Sequence, residues 1–266
     1  MNFHRSLAIV LRIFYLMRGS FTRIFPLFAW AAIDIILWGF ITRYLDQVQH
    51  TFNFVSTLLG AVLLWDFFTR AMFGISTSFF EDVWSRNFLN MFATPLKISE
   101  YLGGLVAASM MTSFFGLAVM LLLAALVFGL WIFAYGVWIV VIVLGLFLFG
   151  IAFGIFAIGS VLRLGPAAEW FIWPMPAVLA PIAAVFYPVS VLPIWLQPIA
   201  RIIPASWLFE SLRSVIAGHR VPLDQLGIGC ALAAVYVVLA SWFFRSMYLH
   251  AVRTGLVARY SAETVT

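Results

Sequence analysis

The chain has 266 residues, of which 65% are hydrophobic and 9% are charged, and its mean hydropathy is +1.09. Soluble domains carry roughly 25% charged residues, so this composition excludes an ordinary water-soluble surface. A bilayer tolerates it, because lipid-facing side chains need not be polar and a helix satisfies its own backbone hydrogen bonds. We therefore predict an all-α membrane protein with several spans, built as one domain over residues 1–266.

The formal net charge is +5, with fifteen Lys and Arg residues placed singly between apolar runs. No basic stripe is available for a phosphate backbone, so the sequence predicts no nucleic-acid partner. A modest basic excess is typical of the cytoplasmic loops of membrane proteins.

The N-terminal segment, residues 1–22, mixes basic and apolar residues before the first long apolar run. Arg5 and Arg12 are seven residues apart and so share one helical face. The apolar residues are Phe3, Leu7, Leu11 and Phe14. This pattern predicts an amphipathic helix lying on the membrane surface.

Six membrane-spanning helices follow, since a span needs about 20 mostly apolar residues. They are predicted at Phe25–Leu45, Phe54–Phe73, Leu102–Leu130, Val137–Leu162, Ala167–Tyr187 and Leu226–Tyr248. An even number of spans puts both termini on one side. That side, with its loops, holds ten Lys and Arg residues against four on the other, so we expect both termini to be cytoplasmic.

Between the last two spans the pattern changes, because nine of the eleven prolines fall between Pro166 and Pro222. The stretch from Tyr187 to Trp207, within the predicted hairpin 187–213, is apolar but too short to cross the membrane and return as two full spans. Irregular backbone at membrane depth persists only where protein or a water-filled cavity surrounds it. We predict an outer re-entrant hairpin that acts as a gate, with candidate residues Tyr187, Pro188, Pro193, Glu210 and Arg213.

Catalytic patterns are absent from the sequence. There is no His cluster, no pair of carboxylates suited to acid–base work, and no glycine-rich phosphate loop. The single cysteine, Cys230, excludes a disulfide within the chain. We expect a non-catalytic chain that holds neither a metal nor a cofactor; if ATP drives it, another chain binds the nucleotide.

Ionisable residues within spans are costly and point to function. Asp34 lies in the first predicted span, and Asp66 and Arg70 lie in the second. The spacing of four places Asp66 and Arg70 on one helical face, in the favoured order. They form either a self-neutralising pair or part of a substrate pathway. In the fourth span, Gly150 and Gly154 allow close helix approach, within the chain or in a dimer.

Two segments resemble the ABC-2 type permeases, the membrane subunits of ATP-binding-cassette exporters. The first is Glu81 to Gly104, EDVWSRNFLNMFATPLKISEYLGG, and the second is Tyr187 to Arg213, YPVSVLPIWLQPIARIIPASWLFESLR. The resemblance covers nearly the whole chain. The loop of about Asp46 to Asn53 leaves no room for the large outer domain of macrolide-exporter permeases.

The resemblance implies a homodimer, or occasionally a heterodimer, in the cell membrane, specifically a bacterial inner membrane. Two copies of a separate ATPase, which bind ATP and Mg²⁺, would attach to the cytoplasmic face. The expected coupling segment is residues 81–97, with Thr94 and Pro95 starting the next span. Its expected contact residues are Glu81, Asp82, Arg86, Phe88, Leu89 and Phe92.

The cargo expected from aromatic richness is a glycan, a lipid-linked molecule or another amphipathic compound. Two other functions remain open from the sequence. One is an ion-coupled secondary transporter that uses Asp34 and Asp66; the other is a membrane assembly protein that transports nothing.

Overall fold

The computed structural model describes residues 2–48, 55–85, 87, 90–91, 94–132 and 136–255. Throughout these residues the regular structure is helical and no strand occurs. The first helix, α1 (Phe3–Arg18), begins at Asn2, whose side chain accepts a hydrogen bond from the backbone N–H of His4. A side chain that accepts a hydrogen bond from a backbone N–H of the first turn is typical of a helix N-cap.

Five long apolar helices could each cross a membrane by length and composition. They are α2 (Phe21–Val48), α3 (Gly60–Trp84, preceded by a π-helical turn at Val55–Leu59), α4 (Ile98–Phe128), α5 (Trp138–Leu164) and α10 (Leu223–Thr254). They correspond to the predicted spans one to four and six. Helix α3 extends eleven residues past the predicted end at Phe73, because Phe79, Phe80 and Val83 continue its buried face.

The predicted fifth span is not a single helix. The chain from residue 166 to 187 contains a 3-10 turn (Pro166–Ala168), two short helices, α6 (Glu169–Ile172) and α7 (Met175–Ile182), and a turn. A proline inside a helix removes one backbone donor and clashes with the preceding turn, and this stretch contains four prolines. The six-span count is therefore not confirmed; the described residues contain five continuous candidate spans.

Helices α3 and α5 form the centre of the molecule. In each, 67% of the most apolar window is buried, against 20% in α2, 28% in α4 and 22% in α10. Helix α5 packs along both α3 and α10, and α3 also packs along α4. The outer helices thus leave broad apolar faces uncovered within the single chain.

The glycine pair of α5 lies against α3. A Cβ at Gly150 would fall 2.7 Å from the Cβ of Ala71, and one at Gly154 would fall 2.9 Å from the carbonyl oxygen of Met72. Side chains at these two positions would force the helices apart. The packing interpretation within the chain is confirmed, and this face is not free for a dimer contact.

Between α7 and α10 the chain forms a compact helical segment. It contains a 3-10 turn (Val189–Val191) and the helices α8 (Gln197–Ile202) and α9 (Pro204–Ile216). Prolines start both helices, as expected for residues that lack a backbone donor. Helix α9 packs against α5 and α10, which ties this segment to the central helices.

Candidate functional site

The end of α3 holds a buried charge cluster. Asp82 lies in the last turn of α3 and is 3% exposed. Its carboxylate lies 2.6 Å from Nη2 of Arg12 and accepts a hydrogen bond of 2.7 Å from the hydroxyl of Tyr101. The cluster therefore joins α1, α3 and α4 at one point.

A second contact fastens α1 to the start of α4. The carboxylate of Glu100 accepts hydrogen bonds from the backbone N–H groups of Asn2, at 2.7 Å, and Lys97, at 3.1 Å, and lies 3.3 Å from Nη1 of Arg5. The hydroxyl of Ser6 donates to the carbonyl oxygen of Glu100 at 3.0 Å. Arg5 also donates to the carbonyl oxygen of Pro95. One acidic residue thus organises two helix beginnings.

Close approach of these two helices depends on Gly104. A Cβ at this position would lie 2.5 Å from the Cβ of Ile9 on α1. Ile9 and Ile13 are buried on the side of α1 that faces the protein, whereas Phe3 and Phe14 are exposed. Helix α1 therefore uses one apolar stripe for α4 and leaves a second one uncovered.

The structure corrects two predictions about the coupling segment. Asp82 is not a surface charge, because the end of α3 buries it against Arg12 and Tyr101. Helix α4 begins at Ile98 rather than at Thr94–Pro95; Thr94 is exposed, and its hydroxyl donates to the carbonyl oxygen of Met91.

The other predicted coupling residues have different outcomes. Glu81 lies in the last turn of α3 and forms a half-exposed ion pair of 2.9 Å with Arg23 of α2. Asn90, Thr94, Pro95 and Lys97 are exposed. Arg86, Phe88, Leu89 and Phe92 lie outside the described residues.

The intramembrane charges are brought together. Arg70 Nε donates to Asp66 Oδ2 at 2.6 Å, and the two side chains are only 12% and 20% exposed. The Arg70 side chain lies over Gly116 of α4, where a Cβ would come within 3.3 Å of it. Asp34 lies close enough to interact electrostatically with Asp66 and Arg70, but it forms no ion pair among the described residues.

Residues 183–222, between α7 and α10, are called the outer segment here after their predicted position, and Glu210 and Arg213 hold this segment. The Glu210 carboxylate accepts the backbone N–H of Val189 at 2.7 Å and lies 3.2 Å from Nη2 of Arg213. Arg213 also donates to the carbonyl oxygens of Ala184 and Val185, at 3.1 Å each. The guanidinium thus connects α9 to the turn that follows α7.

That turn contains a non-glycine residue in the left-handed region, Ala184, with φ of 51°. Such a conformation costs roughly 1–3 kcal/mol and persists where surrounding contacts hold it. Nearby, the Tyr187 hydroxyl donates to the carbonyl oxygen of Pro181, and the carbonyl oxygen of Pro193 accepts two backbone donors at the start of α8. Every predicted gate residue therefore belongs to this outer segment.

The outer segment and the start of α10 line an open pocket of about 420 Å³. Its lining is mixed, with apolar contributions and several polar side chains: Ser190, Gln197, Arg201, Ser206, Glu210 and Gln225. Pro188, Val189 and Trp207 complete the wall. Such a composition suits a polar or amphipathic molecule better than a purely hydrocarbon one.

Sequence reasoning missed Tyr101 and the acidic partners of Arg5 and Arg12. The useful signal was present, since the two arginines share one face of α1 and therefore need acids on one neighbouring surface. What the sequence did not provide was the fold that brings the end of α3 and the start of α4 to that surface.

In the described parts of the chain, no group of three or more His, Cys, Asp or Glu residues is placed to hold a metal ion. The geometry instead combines a loop anchored to α1 on both sides, a compensated Asp66–Arg70 pair and an ordered segment between α7 and α10.

A family model described as ABC-2 family transporter protein matches residues 40–243. The chain belongs to this family. It is thus a permease of an ABC transporter and a multi-pass membrane protein. A comparison with curated protein sequences gives no match.

Proposed function

We propose that this permease, together with a second copy, forms the pathway of an exporter driven by a separate ATPase. The cargo in this proposal is a glycan, a lipid-linked molecule or another amphipathic compound. Family membership supports the transport role. The mixed lining of the pocket in the outer segment supports a cargo with both polar and apolar parts.

The observation that carries the proposal is the way the loop between α3 and α4 is anchored. On one side of the loop, Asp82 connects α3 to α1; on the other, Glu100 connects α4 to the same helix. A push on the exposed stretch from Thr94 to Lys97 would therefore move α1, α3 and α4 together. This is what a partner that closes on ATP needs in order to reach the central helices.

The proposal places the α3–α4 loop and both termini in the cytoplasm, in accordance with the positive-inside rule. The broken stretch at residues 166–187 then serves as the sixth crossing, with its first turns packed against α5. The outer segment lies on the opposite side as a gate, in a bacterial inner membrane. Two ATPase copies, carrying ATP and Mg²⁺, serve the two permease copies.

Site-specific cross-linking tests the docking surface. In a Cys230→Ser background, Asn90→Cys should cross-link to the co-expressed ATPase, whereas Gln47→Cys, at the opposite end of α2, should not. Asn90 is preferable to Glu81 as a probe, because changing Glu81 would also break its ion pair with Arg23. Cross-linking of both or of neither position would contradict the docking surface.

The same two variants test the topology. A membrane-impermeant maleimide applied to intact cells should label Gln47→Cys and leave Asn90→Cys unlabelled. The reverse pattern would place the α3–α4 loop outside and would overturn the proposed direction of coupling.

Family membership argues against the ion-coupled secondary transporter that the sequence left open, although Asp34 lies near Asp66 without an ion-pair partner of its own among the described residues. In the exporter proposal, Asp34→Asn leaves transport dependent on ATP and insensitive to a protonophore. Transport that requires an ion gradient and is lost in Asp34→Asn would favour the secondary transporter.

A further inference from the structure

Four arginines lie on α1 or in the first turn of α2, and three of them have acidic partners. Arg5 pairs with Glu100, Arg12 with Asp82, and Arg23 with Glu81. The fourth, Arg18, is exposed at the end of α1 and has no acidic partner among the described residues. The positive charge of Arg18 is favourable beside the C-terminal end of the α1 dipole. That interaction does not require an acceptor for the N–H donors of the guanidinium.

Arg18 lies at an apolar cavity of about 470 Å³. The cavity is bounded by the end of α1, the start of α2 and the middle of α4; its lining includes Met17, Met111, Phe115 and Gly116. Arg70 contributes to the wall too, but its charge is compensated by Asp66. Arg18 is thus the free positive charge beside an otherwise apolar space, within the part of the chain that the structure describes.

We propose that this cavity binds an anionic phospholipid of the surrounding bilayer, with its phosphate on Arg18 and part of an acyl chain between α1 and α4. Basic residues between membrane helices on the cytoplasmic side recognise anionic head groups. The volume is within the range of about 300–1,000 Å³ that is typical of small-ligand sites. The bound lipid fills the space beneath α1 and stabilises the attachment of that helix.

Charge and lining together select this occupant. A polar solute would leave the apolar walls without contacts, and a neutral lipid would leave the guanidinium without an acceptor. A helix from a second copy could fill the space, but it would have to bring an acidic residue to Arg18. The inference does not depend on the identity of the exported cargo.

Native mass spectrometry of the purified, delipidated permease tests the site. Dioleoyl phosphatidylglycerol is titrated against dioleoyl phosphatidylcholine, which has the same acyl chains. We expect preferential binding of the anionic lipid and a roughly fivefold weaker affinity in Arg18→Gln, with Arg18→Lys retaining most of the binding. Arg253→Gln, an exposed arginine near the end of α10, is the matched control and should bind as the unmodified protein does.

A second variant tests the acyl-chain part of the site. Thr112→Trp fills the cavity from α4 and should reduce phosphatidylglycerol binding, while size-exclusion chromatography shows whether the protein remains monodisperse. An excess of inorganic phosphate should not displace the lipid, because the acyl chain of the lipid also contributes to binding. The proposal would be overturned if Arg18→Gln and Arg253→Gln lost binding equally, or if folded Thr112→Trp bound phosphatidylglycerol fully. Displacement of the lipid by phosphate would overturn it too. So would a change in the dimer content of Arg18→Gln or Thr112→Trp without a change in lipid binding.

Discussion

The carboxylate of Asp82 is held at 2.6 Å by the guanidinium of Arg12, a residue seventy positions away on the N-terminal helix. The Tyr101 hydroxyl completes the cluster at 2.7 Å. Three helices that are separate in sequence are therefore joined through one buried acid. Because burial makes a charge costly when it loses its partner, this cluster provides a sensitive test of the fold.

We expect Asp82→Asn to lower the free energy of unfolding by about 3 kcal/mol, the lower end of the range for breaking a buried pair. The lower end applies because the Arg12 side chain retains 27% exposure. Thermal unfolding of the purified protein in detergent measures the effect. The double variant Arg12→Gln with Asp82→Asn should recover part of the loss, since it removes the unpaired cation.

Glu81, the residue next to Asp82 in sequence, provides the matched control for the Asp82–Arg12 pair. Glu81→Gln breaks the ion pair with Arg23, whose side chains are 39% and 42% exposed, for Arg23 and Glu81 respectively. Exposed pairs contribute less than about 1 kcal/mol, so the shift should be small. Equal shifts in Asp82→Asn and Glu81→Gln would show that the Asp82 cluster is not the buried connection described above.

Gly104→Val is expected to displace α1 from α4. A Cβ would approach Ile9 to 2.5 Å, and overpacking of this kind costs about 1–3 kcal/mol. The readout is maleimide labelling of Ser6→Cys in a Cys230→Ser background, because Ser6 lies on the buried face of α1. Labelling should become faster in the Gly104→Val background.

Gly227→Val on α10 is the control for the glycine substitution, because a Cβ there meets no other atom within 4 Å. Its effect on Ser6→Cys labelling should be negligible. Slow labelling in the Gly104→Val background, equal to that of the control, would mean that α1 tolerates the extra volume.

How much of this architecture the sequence predicts depends on whether the determining contacts are local. The apolar runs predict five of the spans, because insertion in a bilayer depends on about 20 consecutive residues. The Asp66–Arg70 pair is also predictable, since a spacing of four fixes its geometry. By contrast, the partners of Arg12 and Glu100 depend on how α1 docks, which no local pattern specifies.

The fifth predicted span shows the limit of hydropathy. Residues 167–187 are apolar enough to suggest a crossing, but Pro174 lies between the short helices α6 and α7, and Pro181 lies near the end of α7. Hydropathy measures the solvent that a segment prefers, whereas proline determines whether its backbone can form one helix. The burial of Asp82 could not be predicted for a different reason. Helix α3 continues eleven residues beyond Phe73, where the apolar run predicts its end, and Asp82 lies in that extension.

The intramembrane pair gives a third prediction. Asp66→Asn leaves Arg70 without its partner and should destabilise the protein by about 3 kcal/mol, whereas Asp66→Asn with Arg70→Gln should cost much less. Thermal unfolding of the two single variants and the double variant forms a complete double-mutant cycle. A double variant as unstable as Asp66→Asn would mean that Asp66 stabilises the protein through a contact other than Arg70.

The last prediction concerns Arg213, which joins α9 to the strained turn at Ala184. Its planar guanidinium reaches two carbonyl oxygens and the Glu210 carboxylate at the same time. Lysine keeps the charge but presents a compact ammonium group that cannot reproduce this geometry. Arg213→Lys should therefore lose about 2 kcal/mol, in the range of hydrogen bonds to charged groups.

The loss should be local, because the turn after α7 is released while α5 and α10 keep their packing. Hydrogen–deuterium exchange should increase at the backbone amides of Val185 and Val189 and remain unchanged in α5. Arg220→Lys is the matched control, since Arg220 is exposed and has no ion pair among the described residues. If Arg213 holds the turn, its loss should reduce protection from exchange in the outer segment alone. Unchanged exchange in Arg213→Lys, or an increase that extends equally through α5, would therefore show that Arg213 does not hold the turn.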